Sequence, residues 1–346
     1  MNCFKLNLLF IIPLFFLACD GTNNPSKLFQ IELEGNKAAF QKNEVVGISV
    51  KNLKNKDIEE ITYKLDNEEL AVNNNKITLD QSELGAKTLT ANISFEGETV
   101  EVSKNIKLLA EKAPEIYTYK IINEYPHDQN AYTQGLEFHQ DTLYESTGKK
   151  GKSSLRKVDF RTGKVLKKID LDNNYFGEGI TILNNKIYQL TWQSGIGFIY
   201  DLRDFKKIDS FKYNQSREGW GLCNDGEKIF KSDGTEKIWF LNPQTMAEEG
   251  HFETVTNTSI FNKANELEYV NGKIYANVYQ KESMMIIDAK SGAIEGVINF
   301  GGLKGKVSQH QNLDVLNGVA YHPERKTFFV TGKNWDKLFE VEILKK

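Results

Sequence analysis

Glu178 stands between Gly177 and Gly179 in "NNYFGEGITIL", a carboxylate in a tight stretch just ahead of a strand-like run. Four other residues hold the same place in a recurring pattern. Gln134, Trp220, Asn265 and Asn317 each stand immediately before a short apolar strand, and 42 to 52 residues separate one such position from the next. One acid, three amides and an indole make up the set. If the pattern closes into a ring, these side chains converge, and Glu178 is the only one able to take up and release a proton. Amides supply donors and acceptors without titrating. The constellation therefore points to acid–base work by a single carboxyl group. Gly135, Gly179, Gly221 and Gly318 follow four of the five positions, as a crowded axis requires. Glu266 takes this place in the fourth repeat and breaks the pattern.

The elements that would position this ring are read from the repeat itself. "GLEFHQDTLYEST", "GITILNNKIYQLT", "GLCNDGEKIFKSD", "ELEYVNGKIYANV" and "GVAYHPERKTFFV" each join two apolar strands through an Asn, Asp, Gly or Pro turn. A third and a fourth strand follow the first four of them, which is the layout of propeller blades. The first strand of each blade lines the central axis. The last unit ends at its third strand, "KLFEVEILKK", and "IYTYKIINEYP" ahead of the first unit is placed to supply the missing outer strand and remove a free edge.

The expected fold class is all-β: a five-bladed β-propeller over residues 116–346, preceded by a small immunoglobulin-like β-sandwich over residues 27–110 and a linker at 111–115. The sandwich region holds no cluster of catalytic residue types, which suits a spacer or docking module. Residues 1–18 have the layout of a bacterial lipoprotein signal, with Cys19 as the lipidated residue and residues 19–26 as a polar tether. This predicts an exported chain attached through Cys19 to the cell envelope, on the periplasmic side or at the cell surface.

Composition excludes several function classes. The formal net charge is -3 and no basic stripe stands out, which speaks against a nucleic-acid partner. Of three cysteines only Cys223 remains after processing, in the apolar stretch "WGLCN", where it reads as a small core residue. The five histidines, 127, 139, 251, 310 and 322, lack ligand spacing, which speaks against catalytic zinc. A monomer is expected.

"AYTQGLEF", "FGEGIT" followed by "LTW", "EGWGL", "SDGT", "NELEYVNGKIYANV" and "LNGVAY" carry a resemblance. Residues 115–344 resemble the plant and bacterial type of glutaminyl-peptide cyclotransferase. The resemblance implies a five-bladed propeller that converts an N-terminal glutaminyl residue of a peptide or protein to pyroglutamyl, releasing ammonia, with no cofactor required. It places Gln134, Glu178, Trp192, Trp220, Asn265 and Lys333 on family site positions, with Tyr132 where phenylalanine is usual and Tyr279 where tryptophan is common. In that chemistry Glu178 shuttles protons, Asn265 and Lys333 face the oxyanion, and Gln134 binds substrate; Asn317 reads as a further substrate-binding amide, with an inter-blade hydrogen-bond clip as the alternative. Walls of Trp192, Trp220 and Trp335 would desolvate Glu178 and raise its pKa. Trp239 reads as packing, and Asp233 as a turn cap or a group orienting a neighbour.

Two other readings compete. A propeller can serve as a non-catalytic surface platform for peptides or glycans. A calcium-dependent hydrolase is disfavoured, because one carboxylate and three amides are a poor offer to catalytic Ca2+, although the channel leaves room for a structural ion.

Overall fold

The computed structural model describes residues 25–346, so the expected signal segment, Cys19 and most of the tether lie outside the described residues. Among the described residues the regular structure is strand, apart from three short 3-10 turns.

The strands up to Leu109 form two sheets. Phe29–Leu33, Glu44–Asn52 and Lys76–Leu79 make the first, and the second contains Ile58–Leu65, Gly85–Phe95 and Glu98–Leu109. Alternation decides which side chains meet between them: in "FQIEL" the buried positions are Phe29, Ile31 and Leu33, and they pack with Leu89, Ala91, Ile93 and Leu108. The same core takes in Val255 from much later in the chain. Polar contacts reinforce that junction: Glu253 Oε2 accepts from Ala86 N at 2.9 Å, and Ala110 N donates to Thr256 O at 3.1 Å.

From Thr133 onward the strands come in antiparallel groups of four, spanning 133–170, 177–212, 222–253 and 264–299. The last group, 316–345, contributes three strands of its own. Glu115–Pro126 supplies the fourth, paired antiparallel with Lys337–Lys345 from Pro126 opposite Lys337 to Tyr117 opposite Lys345. Glu340 secures this seam. Its carboxylate accepts from Asn123 Nδ2 at 2.7 Å, Tyr125 Oη at 3.0 Å and Arg325 Nε at 2.8 Å. The start of Glu115–Pro126 also pairs in parallel with Ile294–Asn299, which joins the fourth and fifth groups into one sheet of eight strands.

The first strands of the five groups are Thr133–His139, Gly177–Leu183, Leu222–Asn224, Ala264–Val270 and Leu316–His322. Each packs on the next and the last packs on the first, so they enclose an axis. Because these strands belong to different groups, side chains must satisfy their axial main-chain groups. Glu266 does so across the axis, accepting from Leu136 N at 3.1 Å and Val319 N at 2.8 Å. This is the reason a glutamate stands where the other repeats have glycine. Elsewhere the strand starts touch backbone to backbone: Gly179 N donates to Trp220 O at 2.7 Å, and a Cβ on Gly179 would lie 2.6 Å from the Gly221 Cα. Close approach of the strand starts brings the side chains of the ring positions together.

Candidate active site

Two tiers of residues meet at one mouth of the axis. The second strand of each group runs antiparallel to the first, so the residue that follows it returns to where the first strand begins. Trp192 follows Lys186–Thr191, Tyr279 follows Lys273–Val278, and Lys333 follows Thr327–Gly332. Two residues ahead of the ring positions stand Tyr132, Phe176 and Glu218. The cavity between the tiers measures about 160 Å³. A space near 150 Å³ holds one benzene-sized group, so this cavity suits a single side chain rather than a long ligand.

Its floor is polar and buried. Gln134, Glu178 and Asn265 face the cavity, each 5% exposed or less. Gln134 Nε2 donates to Glu178 Oε1 at 3.0 Å. Burial pushes the Glu178 carboxyl well above the usual carboxylate range; Lys333 opposes the rise and Glu218 adds to it.

Its walls are aromatic and nearly continuous. Tyr132 meets Phe176 edge to face at 6.2 Å, Phe176 meets Trp192 at 5.5 Å, and Trp220 meets Tyr279 at 5.2 Å. Glu218 bridges the gap between the indoles: its Oε2 accepts from Trp192 Nε1 and from Trp220 Nε1, both at 2.8 Å. Lys333 closes the circle, its ammonium 5.0 Å from the Tyr132 ring and 5.6 Å from the Tyr279 ring.

Lys333 is 4% exposed, and its Nζ has no hydrogen-bond or ion-pair partner among the described residues. Burial lowers its pKa, while Glu178 and Asp314 pull it back up. A buried ammonium without a fixed acceptor, beside a buried carboxyl with a raised pKa, is an arrangement that awaits an oxygen-bearing ligand. Among the described residues no group of three or more His, Cys, Asp or Glu is arranged to hold a metal ion.

The glutamine cyclotransferase family model matches residues 91–343, well over half of the chain. The chain belongs to this family. It is 43% identical over 227 residues to a glutaminyl-peptide cyclotransferase of Arabidopsis thaliana, covering 65% of this chain and 71% of the relative. It also superposes on the crystal structure of Myxococcus xanthus glutaminyl cyclase with a TM-score of 0.62 and 34% identity, over 67% of this chain and 99% of that one. The later strands accordingly form a β-propeller.

Two expected site residues of this family member lie elsewhere. Trp335 does not line the cavity; it is fully buried and folds back over Gly332, where a Cβ would lie 2.2 Å from its ring. Its Nε1 donates to Asp314 O at 3.0 Å, and Asp314 Oδ2 accepts from the Tyr132 hydroxyl at 2.7 Å, so Trp335 buttresses the wall from behind. The reason is its position: it stands two residues beyond the place that Lys333 occupies. Asn317 is likewise fully buried, beneath the floor, and bonds Gln134 and Asn265 rather than facing the cavity.

Phe176 and Glu218 were not expected. Their signal was available, since both share with Tyr132 the place two residues ahead of the ring position. Trp239 is buried packing, and Asp233 both caps the turn through Thr235 N at 3.0 Å and accepts from Trp239 Nε1 at 2.8 Å. Cys223 is a free, buried core thiol whose pKa burial pushes up.

Proposed function

We propose that this chain converts N-terminal glutaminyl residues of peptides to pyroglutamyl residues and releases ammonia, with Glu178 moving the protons. The observation that carries this reading is the meeting, in one residue-sized cavity, of a buried carboxyl with an amide and an unpaired ammonium.

The reaction closes a five-membered ring within the substrate, so attacking and attacked groups are already tethered. The α-amino nitrogen attacks the side-chain Cδ, the carbonyl π bond opens, and negative charge collects on the former amide oxygen. Asn265 Nδ2 gives one hydrogen to Asn317 Oδ1 at 2.9 Å and keeps the other for that oxygen, which Lys333 meets as a charge. An α-amino group titrates near 7.7–8.0, so about half is already neutral at mildly alkaline pH, and Glu178 takes the proton lost as the C–N bond forms. Glu178 then gives that proton to the departing nitrogen, the old C–N bond breaks, and ammonia leaves. The atoms balance without a cofactor.

Supported by the four antiparallel groups and the closure of the fifth, the propeller is read as five-bladed over 116–346, and the two amino-terminal sheets as an immunoglobulin-like sandwich over 27–110. The layout of "FFLACD" supports lipidation at Cys19 and an envelope location.

The test is incubation with a Gln-initiated dipeptide, measuring ammonia, with an Asn-initiated dipeptide as control because its ring closure would give a four-membered lactam. Ammonia is expected from the first alone. No turnover with any Gln-initiated peptide would return the chain to the binding-platform reading. A further expectation concerns Glu218→Ala, which frees both indoles and removes a charge that raises the Glu178 pKa. KM should rise about tenfold, the equivalent of about 1.4 kcal/mol for two lost charge-assisted hydrogen bonds. The lower limb of the kcat/KM profile should move to lower pH. Steady-state kinetics across pH separates the two effects.

A further inference from the structure

The amides of the cavity floor, with Asn317 beneath them, form a chain with one direction. Asn265 Nδ2 donates to Asn317 Oδ1 at 2.9 Å, Asn317 Nδ2 donates to Gln134 Oε1 at 3.0 Å, and Gln134 Nε2 donates to Glu178 Oε1 at 3.0 Å. An amide can sit either way round, so three in a row have no inherent direction. A main-chain group makes the choice here. The other hydrogen of Asn317 Nδ2 goes to the Thr133 carbonyl, 3.0 Å away, and a carbonyl only accepts. Turning Asn317 over would set its Oδ1 against the Thr133 oxygen in a fully buried place, where an unmade hydrogen bond is expensive. With Asn317 held, the Gln134 oxygen is committed to it, and the Gln134 nitrogen must face Glu178.

We propose that Asn317 is a positioning residue for the reaction: through Gln134 it obliges Glu178 Oε1 to accept a hydrogen bond throughout, so the travelling proton rides on Oε2 alone. This rests on the cyclisation reading above. Oε2 suits the task because it has no hydrogen-bond partner among the described residues, while its side chain lines the cavity. The arrangement removes a wasteful alternative. A carboxyl free to hold its proton on either oxygen would spend part of its time with the proton aimed at the floor, away from the reacting nitrogen.

The chain also bears on when Glu178 ionises. A donor fixed on Oε1 favours the charged form. Desolvation and the Glu218 charge raise the Glu178 pKa and the Lys333 ammonium lowers it; the other titratable groups that feel Glu178 are the phenols of Tyr132 and Tyr213. Loss of the donor should therefore raise the pH at which Glu178 ionises.

Infrared titration reads this without substrate: the difference between the protein and its Glu178→Gln variant isolates the protonated carboxyl band of Glu178. In Asn317→Leu, where Gln134 is free to turn its oxygen toward Glu178, the midpoint of that band should rise by up to about one pH unit, the scale for full loss of one hydrogen bond to a carboxylate. The lower limb of kcat/KM for a Gln-initiated dipeptide should rise with it. A merely structural Asn317 would lower the melting temperature and leave the midpoint in place. Gln134→Leu, altered at the cavity floor, removes the donor itself and should raise the midpoint at least as far, which keeps the test available if Asn317→Leu does not fold. An unmoved midpoint in a folded variant overturns the proposal. A moved midpoint in a protein that releases no ammonia would instead overturn the cyclisation reading and leave the amide chain standing.

Discussion

Glu178→Gln should lower ammonia release from a Gln-initiated dipeptide by about a thousandfold, within the range that loss of a positioned acid–base group produces. The replacement keeps the shape of the side chain and still offers Gln134 Nε2 an oxygen, so the cavity should persist and only proton transfer is lost. Stability should move the other way. The folded carboxyl has a pKa well above its unfolded value, so the stability it contributes is present below about pH 4.5 and drains away as pH rises toward the folded pKa. A glutamine has no charge to bury and suffers no such loss. The variant should therefore melt at a higher temperature than the parent at pH 8 and at nearly the same temperature at pH 5, a trade of stability for activity seen at many active sites. Thermal unfolding at the two pH values, beside the ammonia assay, checks both halves. Retained turnover would reject Glu178 as the proton carrier.

Lys333→Met should lower kcat by about a hundredfold or more with a smaller change in KM, because an oxyanion donor acts mainly on charge that develops in the transition state. No ion pair is broken by the change, since the ammonium rests against the Tyr132 and Tyr279 rings without a fixed acceptor. The variant should fold. Lys333 also holds the Glu178 pKa down, so its removal should carry the lower limb of the kcat/KM profile to higher pH. Arginine should not restore the rate, because a planar fork is longer and wider than an ammonium in a cavity of about 160 Å³. A kcat unchanged in Lys333→Met would take the oxyanion role from this residue.

Much of the site was legible because a repeat fixes geometry by symmetry. Gln134, Glu178 and Asn265 could be placed at one mouth from their shared place before an apolar strand, and their burial in one cavity follows from the close approach of the strand starts at Gly179 and Gly221. Asn317 obeyed the same rule and still ended beneath the floor, because position in a repeat does not say which side chain reaches the cavity and which supports it. Phe176 and Glu218 went unread for a different reason. They stand on loops two residues ahead of the ring, where no strand pattern draws notice, and only the indole contacts give Glu218 a role. Trp335 misled because a tryptophan near a mouth looks like a wall, whereas the glycine at 332 leaves room for its ring to turn inward. The parallel pairing of Glu115–Pro126 with Ile294–Asn299 had no signature, since it depends on two segments distant in sequence meeting edge to edge.

The strand seam has a bearing on biosynthesis. Tyr132 and Gln134 come from the first group of strands and Lys333 from the last, while Glu115–Pro126 is matched along most of its length by Lys337–Lys345. A nascent chain still hidden in the ribosome from Lys337 onward lacks the longest pairing that closes the ring, and keeps the short parallel pairing of Glu115–Pro126 with Ile294–Asn299. Thr327–Gly332, which carries Lys333 at its end, is then without its partner strand. Competence to act on a glutaminyl terminus therefore waits for the emergence of Lys337–Lys345 rather than arriving with Glu178.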